Sequence, residues 1–241
     1  DARGIRPEQV RYIIPTHVHL DHAGGAGLMM SLFPAATLLV HPRGVRHMAD
    51  PARLIDVSKS VYGDELFEQL YGEIRPVAEA RICAVEDGET VYVGERPLLF
   101  RHTRGHAEHH ACIWDATSCG WFSGDMFGVS YPWCRFGERN FLLPSTTPSQ
   151  FDPVAFATSL DVLESYNPRL IFLTHFGRLK YAPETAALLR RQVADYCEMA
   201  RDCGGDIERL QSKLGEYSLA LLGEMHGEES ASSWAEALAF D

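Results

Sequence analysis

The sequence predicts an α+β domain in which a mixed β-sheet is covered by helices. Three observations carry that expectation. Short apolar runs of strand length alternate with longer stretches of helical periodicity. Several of the strand runs come in pairs around turn signals, as hairpins do, which a purely parallel doubly wound sheet would not supply. Over 241 residues the composition is that of an ordinary globular chain, 46% hydrophobic and 23% charged, and it suits one domain or one domain with a helical appendage.

Taken in order, Pro7 to Val10 reads as a short helical turn and Val10 to Pro15 as a buried strand centred on Tyr12, Ile13 and Ile14. Gly24 to Phe33 reads as a helix with Leu28, Met29 and Leu32 on its apolar side, ended by Pro34. Thr37 to Val40 is a second buried strand. Arg43 to Tyr71 is mostly helical, with Leu54, Val57, Val61, Leu66, Phe67 and Leu70 at helix-like intervals. Two or three strands follow between Arg81 and Arg101, around Asp87-Gly88 and Val93-Gly94-Glu95. Ala111 to Asp115 and Gly120 to Phe122 pair as a hairpin through Ala116 to Cys119.

Ser130 to Ser149 is a long aromatic and proline-rich loop, a length that usually serves function. Asp152-Pro153 then places Asp at the N-cap and Pro at the first position of a helix running to about Ser165. Leu170 to Leu173 is a buried strand ending at Thr174-His175. From Ala182 to Ala239 the pattern is mainly helical, broken by Gly204-Gly205, Gly215 and Gly227. Apolar residues of these helices from Leu188 to Leu222 suit core packing, a homodimer interface or one wall of a substrate cleft.

A net charge of −11 without a Lys/Arg cluster argues against nucleic acid and anionic membrane as partners. No apolar run approaches the ~20 residues needed to span a bilayer. The six cysteines form no C-x-x-C pair and read as reduced, mostly buried thiols, with Cys134 in an aromatic loop set apart. With an N-terminus lacking a signal-peptide layout, the expected location is cytoplasmic.

The chemistry concentrates in Thr16 to Gly25, where His17, His19, Asp21 and His22 fall within six residues. In an extended loop His17, His19 and Asp21 point one way and His22 another, so one short segment could feed two metals. His106, Asp125 and His175 each follow an apolar strand, so one sheet edge could bring them to the same place. His109 and His110 lie close to His106. His41, His47, His102 and His226 read as structural, His102 being the one nearest a ligand-orienting role.

These motifs resemble the metallo-β-lactamase-fold hydrolase superfamily. The H-x-H-x-D-H signature is His17 to His22, the G-H motif is His106, the G-D motif is Asp125, and the late strand-end histidine is His175. The resemblance implies a four-layer αββα sandwich over residues 1–181, with 182–241 as a C-terminal helical extension packing on it. It puts His17, His19 and His106 on one metal and Asp21, His22 and His175 on a second, with Asp125 bridging, and it leaves His109 and His110 to orient ligands or the strand, or to the surface. The mixed nitrogen and carboxylate set suits two divalent ions, zinc first and Fe or Mn next. Only sixteen residues precede His17, where the family has a β-rich segment of several dozen. The first sheet is therefore expected to lack most of its strands here, as if an N-terminal part lay outside this chain.

The implied reaction is hydrolysis of a small-molecule ester, lactone or thioester by metal-bound hydroxide. Asp21 would orient the nucleophile or relay its proton, and Tyr131 would donate to an oxyanion or leaving group. Trp133 and Phe136 would wall an apolar substrate, and Arg135 would read a carboxylate or pair at the surface. The alternatives are an iron-dependent persulfide dioxygenase-like oxidoreductase, a β-lactamase, and a non-catalytic binding module with a structural metal. In the diiron oxygen-reducing branch a Glu typically stands where this chain has His19.

Overall fold

The computed structural model describes residues 4–132, 135–136, 139–147 and 150–227, with backbone only at 135, 136, 139 and 226. Trp133 and Cys134 lie outside the described residues, as do the side chains of Arg135 and Phe136.

After a 3-10 turn at Pro7–Gln9 come β1 (Tyr12–Ile13), α1 (Leu20–Ala23), α2 (Ala26–Leu32) and β2 (Thr37–Val40). Three helices follow, α3 (Val45–Ala49), α4 (Ala52–Tyr62) and α5 (Asp64–Leu70), then the strands β3 (Ile82–Ala84), β4 (Thr90–Val93), β5 (Arg96–His102), β6 (Ala111–Asp115) and β7 (Gly120–Gly124). Among the described residues the two-residue strands β8 (Arg135–Phe136) and β9 (Arg139–Asn140) pair only with each other. The chain continues through α6 (Pro153–Ser165), β10 (Leu170–Leu173), β11 (Gly177–Lys180), α7 (Pro183–Cys203) and α8 (Ile207–His226). No described helix is long and apolar enough to cross a membrane.

Two sheets face each other. The smaller is parallel, in the order β1-β2-β3, and the larger is mixed, β11-β10-β7-β6-β5-β4. The side-chain period of two assigns each layer its contacts. Leu38 and Val40 of β2 turn outward onto Ala23, Ala26, Met30 and Met48 of the covering helices. Leu39, between them, turns inward onto Phe100 and Ile113 of the larger sheet. In β6, Ile113 joins that inter-sheet layer while Cys112 faces Trp121, Phe156, Leu160 and Leu189 under α6 and α7. The layers therefore run helix, sheet, sheet, helix.

Several local expectations change. β1 is two residues long and half-buried, because only Tyr12 and Ile13 find a partner, in Thr37 and Leu38. In α2, Leu28, Met29 and Leu32 face outward, 41–55% exposed, and Ala26, Gly27 and Met30 face inward. Packing decides this: a Cβ on Gly27 would lie 2.1 Å from the Arg75 carbonyl oxygen, so the small-residue face is the one that fits against the 74–77 segment. Arg81 closes this corner by donating to the carbonyls of Met30, Phe33 and Ala36 at 2.7–2.9 Å, satisfying the end of α2 and the turn after it. Val57, Val61, Leu66 and Leu70 of α4 and α5 are likewise exposed, while Phe67 is buried. Gly215 does not interrupt α8, whereas Gly204, in the left-handed region at φ 59°, does end α7.

Four strand ends create the site. Strand β5 is antiparallel to β6, β6 to β7, and β10 is parallel to β7, so the C-terminal ends of β5, β7 and β10 lie on one edge. His106, Asp125 and His175 follow those three ends. The loop after β1 is tied to the same edge where the Ala111 N–H donates to the Thr16 carbonyl at 2.8 Å.

Candidate metal centre

All seven sequence-derived ligand candidates come together. His17, His19 and His106 form one group, Asp21, His22 and His175 a second, and His17, His22 and Asp125 a third between them; within each group one ligand atom per residue lies within 4.8 Å of the others. His19 Nδ1 is 3.0 Å from His17 Nε2 and 3.1 Å from His106 Nε2. His22 Nε2 stands 3.0 Å from Asp21 Oδ2, 3.3 Å from His175 Nε2 and 3.4 Å from Asp125 Oδ2. Asp125 also reaches toward His106 Nε2 at 3.6 Å, so its carboxylate stands between the two histidine groups.

Asp21 and His22 do not sit on an extended loop. They occupy the single helical turn α1, and that turn rather than strand alternation swings them away from His19.

The donor set fits divalent cations. Nitrogen and carboxylate oxygen converge without a backbone cradle or a thiol. Among the described residues two buried atoms of the site, His22 Nδ1 and Asp125 Oδ1, have no hydrogen-bond partner, the second lying 3.9 Å from His175 Nε2, and a buried carboxylate oxygen without a hydrogen bond is costly unless something cationic takes it. His106 donates from Nδ1 to the Ser145 carbonyl at 2.9 Å, which leaves its Nε2 lone pair facing the site. Ser145 Oγ donates to Asp125 Oδ2 at 3.3 Å.

Electrostatics divide the two groups. Burial and the neighbouring histidines push His17 well below the usual histidine range, burial and His106 push His19 down to about 4, and burial lowers His106. In the second group burial also opposes charge on His22, but hydrogen bonds to Asp125 and Asp21 outweigh it and raise the group to about 9. His175 is raised by its hydrogen bond to Asp21. Burial works against ionisation of Asp21, yet hydrogen bonds from His175 and His22 hold it far below the carboxylate range. One group is thus a ready set of neutral nitrogens, while the other holds protons where a cation would stand.

Behind the ligands lies a support that the sequence shows only as an oversupply of histidine. His110 is wholly buried, and its Nε2 accepts the Asp125 N–H at 3.2 Å. Its Nδ1–H then donates to Thr103 Oγ1 at 2.9 Å, Thr103 Oγ1 donates to Cys112 Sγ, and Cys112 Sγ donates to the Ser123 carbonyl, the last two at 3.2 Å. The direction of each bond fixes the next, so the neutral His110 tautomer is set from both ends. Burial holds His109 down to about 3, so it is neutral; its Nδ1 accepts from Val18 N–H at 3.3 Å, which puts its hydrogen on Nε2. No short motif announces Thr103, Cys112 or Ser145, because their partners are 7 to 39 residues away.

Gly124 makes the His110 contact possible. It sits at φ 51°, and a Cβ there would lie 2.4 Å from His110 Nε2 and 2.8 Å from Thr16 Oγ1. Gly124→Ala is expected to cost about 2–4 kcal/mol through the left-handed backbone and the clash together. Thermal melts of the metal-free protein check this, and a variant melting within a degree of wild type would remove the contact from the account.

The other sequence-flagged side chains do not join the metal groups. His102 turns away, its Nε2 3.0 Å from the Val85 carbonyl, and its ring centroid lies 3.9 Å from that of His41, the two rings tilted by 39°. Tyr131 is half-buried beside Phe141, Leu221 and Leu222, with its ring centroid 5.1 Å from that of Phe176, the neighbour of His175. The side chain of His226 lies outside the described residues. Beside Asp21 opens a cavity of about 380 Å³ bordered by Leu20, Leu70, Tyr71 and Ile74.

A family model described as "Metallo-beta-lactamase superfamily" matches residues 1–175. The chain is 24% identical over 221 residues to "Metallo-beta-lactamase fold-containing protein ST1585" of Sulfurisphaera tokodaii, covering 90% of this chain and 80% of the relative. The crystal structure of ST1585, described as an archaeal metallo-beta-lactamase superfamily protein from Sulfolobus tokodaii, superposes with a TM-score of 0.64 at 22% identity, over 76% of this chain and 67% of that one. The metallo-beta-lactamase family protein TTHA1429 from Thermus thermophilus gives 0.61 at 22% identity, over 82% of this chain and 65% of that one. A chemotaxis sensor, ODP, described with a peroxy diiron species, gives 0.56 at 14% identity, over 78% of this chain and 72% of that one. At these identities the structural likenesses concern the fold.

Proposed function

This chain belongs to the metallo-beta-lactamase superfamily, and on that premise we propose that it is a dinuclear-metal hydrolase of a small-molecule ester, lactone or thioester. The observation that supports the reading most is the pair of three-residue ligand groups on either side of the Asp125 carboxylate. His17, His19 and His106 would hold one cation and Asp21, His22 and His175 the other, with Asp125 shared. Two divalent cations held there, zinc first and Fe or Mn next, would supply Lewis acidity and an activated water at neutral pH.

The chain's own residues do the rest. Asp21, ionised and with its side chain 44% exposed, stands at the mouth of the site and orients the attacking water by accepting its hydrogen bond. The His110 relay holds the Asp125 backbone so that the carboxylate keeps its place between the two groups. Leu20, Leu70 and Ile74 offer an apolar wall beside Asp21 for the acyl or alcohol chain. Tyr131, one ring from Phe176, is the hydroxyl assigned to the leaving group. His19 supplies a nitrogen at the position where the diiron oxygen-reducing branch typically has a carboxylate, which favours hydrolysis over oxygen chemistry. The substrate class is a small molecule rather than nucleic acid or membrane, and the proposed setting is cytoplasmic.

Metal quantification followed by a panel of lactones, thioesters, esters and β-lactams tests this. The expected result is two equivalents of zinc per chain and turnover of at least one neutral acyl substrate. One iron per chain with thiol-dependent oxygen uptake would overturn it.

A further inference from the structure

The hairpin of β10 and β11 closes on three residues, Thr174, His175 and Phe176, between the paired Leu173 and Gly177. The last residue of such a loop commonly takes a left-handed backbone, and glycine is the residue that takes it without strain. Here that place falls to Phe176, at φ 66°. Among the described residues two other non-glycine side chains stand on a left-handed backbone, Cys119 and Asn167. Both are small, and asparagine tolerates the region, whereas a bulky ring is poorly suited to it.

Burial does not account for the phenyl group. Phe176 is 42% exposed, and its ring meets that of Tyr131 at 5.1 Å between centroids, tilted by 44°. Strain of this kind persists where it serves a site. The position of the ring shows which site. The side chains of His22, His106 and Asp125 are 2–5% exposed and His17 is buried, but those of His175 and Asp21 are 32% and 44% exposed. The metal centre therefore opens to solvent past His175 and Asp21, which stand 3.5 Å apart. The Phe176 ring lies at that opening, its centroid 6.3 Å from that of His175.

We propose that Phe176 is a specificity-determining residue whose exposed ring surface holds an apolar ring on the leaving-group side of the substrate. Leu20, Leu70 and Ile74 share a cavity with Asp21, and Phe176 adjoins His175, so the two ends of an ester have separate apolar surfaces at one opening. Contact between two rings contributes in both area and orientation, which rewards a ring over a small alkyl group. The inference deepens the hydrolase reading and rests on it for the ester, while the ring site itself stands on the left-handed backbone, the exposure and the approach to His175.

Benzyl acetate and methyl acetate test it, because their leaving alcohols are of nearly equal acidity and differ in the ring. Zinc-loaded wild type is compared with three variants. Phe176→Gly removes the ring and suits the left-handed backbone, Phe176→Tyr keeps a ring, and Ile207→Ala is an exposed control at the start of α8. The ratio of kcat/KM for benzyl over methyl acetate should fall ~10-fold in Phe176→Gly and stay within ~2-fold of wild type in the other two. Benzyl alcohol is titrated into each zinc-loaded protein by NMR in parallel, and its affinity should fall at least ~3-fold in Phe176→Gly. If neither ester turns over but that drop is seen, the hydrolase reading fails and the ring site stands. An ester ratio that Phe176→Gly leaves unchanged, whether both esters slow alike or neither slows, overturns the proposal. So does an unaltered affinity for benzyl alcohol where neither ester turns over.

Discussion

Asp125→Asn should lower kcat/KM by about 10³-fold or more and release one of the two metals, while the protein still folds. Asp125 is 3% exposed, faces His22 at 3.4 Å and His106 at 3.6 Å, and carries a buried oxygen with no hydrogen-bond partner among the described residues. The amide keeps the shape and removes the charge that both cations would share. Its nitrogen would also point a donor toward a cation. The measurement is a metal count by mass spectrometry beside turnover on the best panel substrate. Two tightly held metals with near wild-type turnover would remove Asp125 from the bridging position.

Metal uptake should split into two steps with different pH dependence. His17 and His19 have lowered affinities for protons, about 4 for His19, so at pH 7 the first group takes a metal with almost no proton release. His22 titrates at about 9 in the metal-free protein, so at pH 7 a metal entering the second group must displace its proton, and part of that on His175. Affinity for the second equivalent should therefore rise about tenfold per pH unit for each displaced proton while the pH lies well below that proton's pKa, and about 50-fold between pH 7 and 9 for His22 alone. Calorimetry in buffers of differing ionisation enthalpy counts those protons. Equal proton release for both equivalents would contradict the division.

The same shifts act on the metal-free fold with opposite signs. Below the ordinary histidine value the unfolded chain takes protons that His17 and His19 refuse, so their part of the stability is lost as pH falls from about 6.5 toward 4. The raised His22 contributes stability that is complete below about 6.5 and is lost as pH rises through about 9.

Much of the fold was legible because its signals are local. Asp152 and Pro153 announced α6, and the Asp152 carboxylate does accept from the Val154 and Ala155 amides at 3.0 Å. The apolar run Leu170–Leu173 announced β10, although β11 behind it, with sequence Gly-Arg-Leu-Lys, carries too little apolar pattern to show. The outward turn of Leu28, Met29 and Leu32 was not legible, since it depends on Gly27 meeting the Arg75 backbone 48 residues away.

At the centre itself, residue type and spacing offered the candidates and the family motifs they match chose the seven residues that converge, because metal donors are few and fall at strand ends. What only the tertiary structure decided is how they are held and what surrounds them. The α1 turn, not strand alternation, separates Asp21 and His22 from His19. His110 serves Asp125 through a relay whose members meet only when β5, β6 and β7 are laid side by side. Donor chemistry is a property of side chains and can be read in order along a chain. Burial, proton affinity and the emptiness beside a ligand belong to neighbours that folding alone brings near.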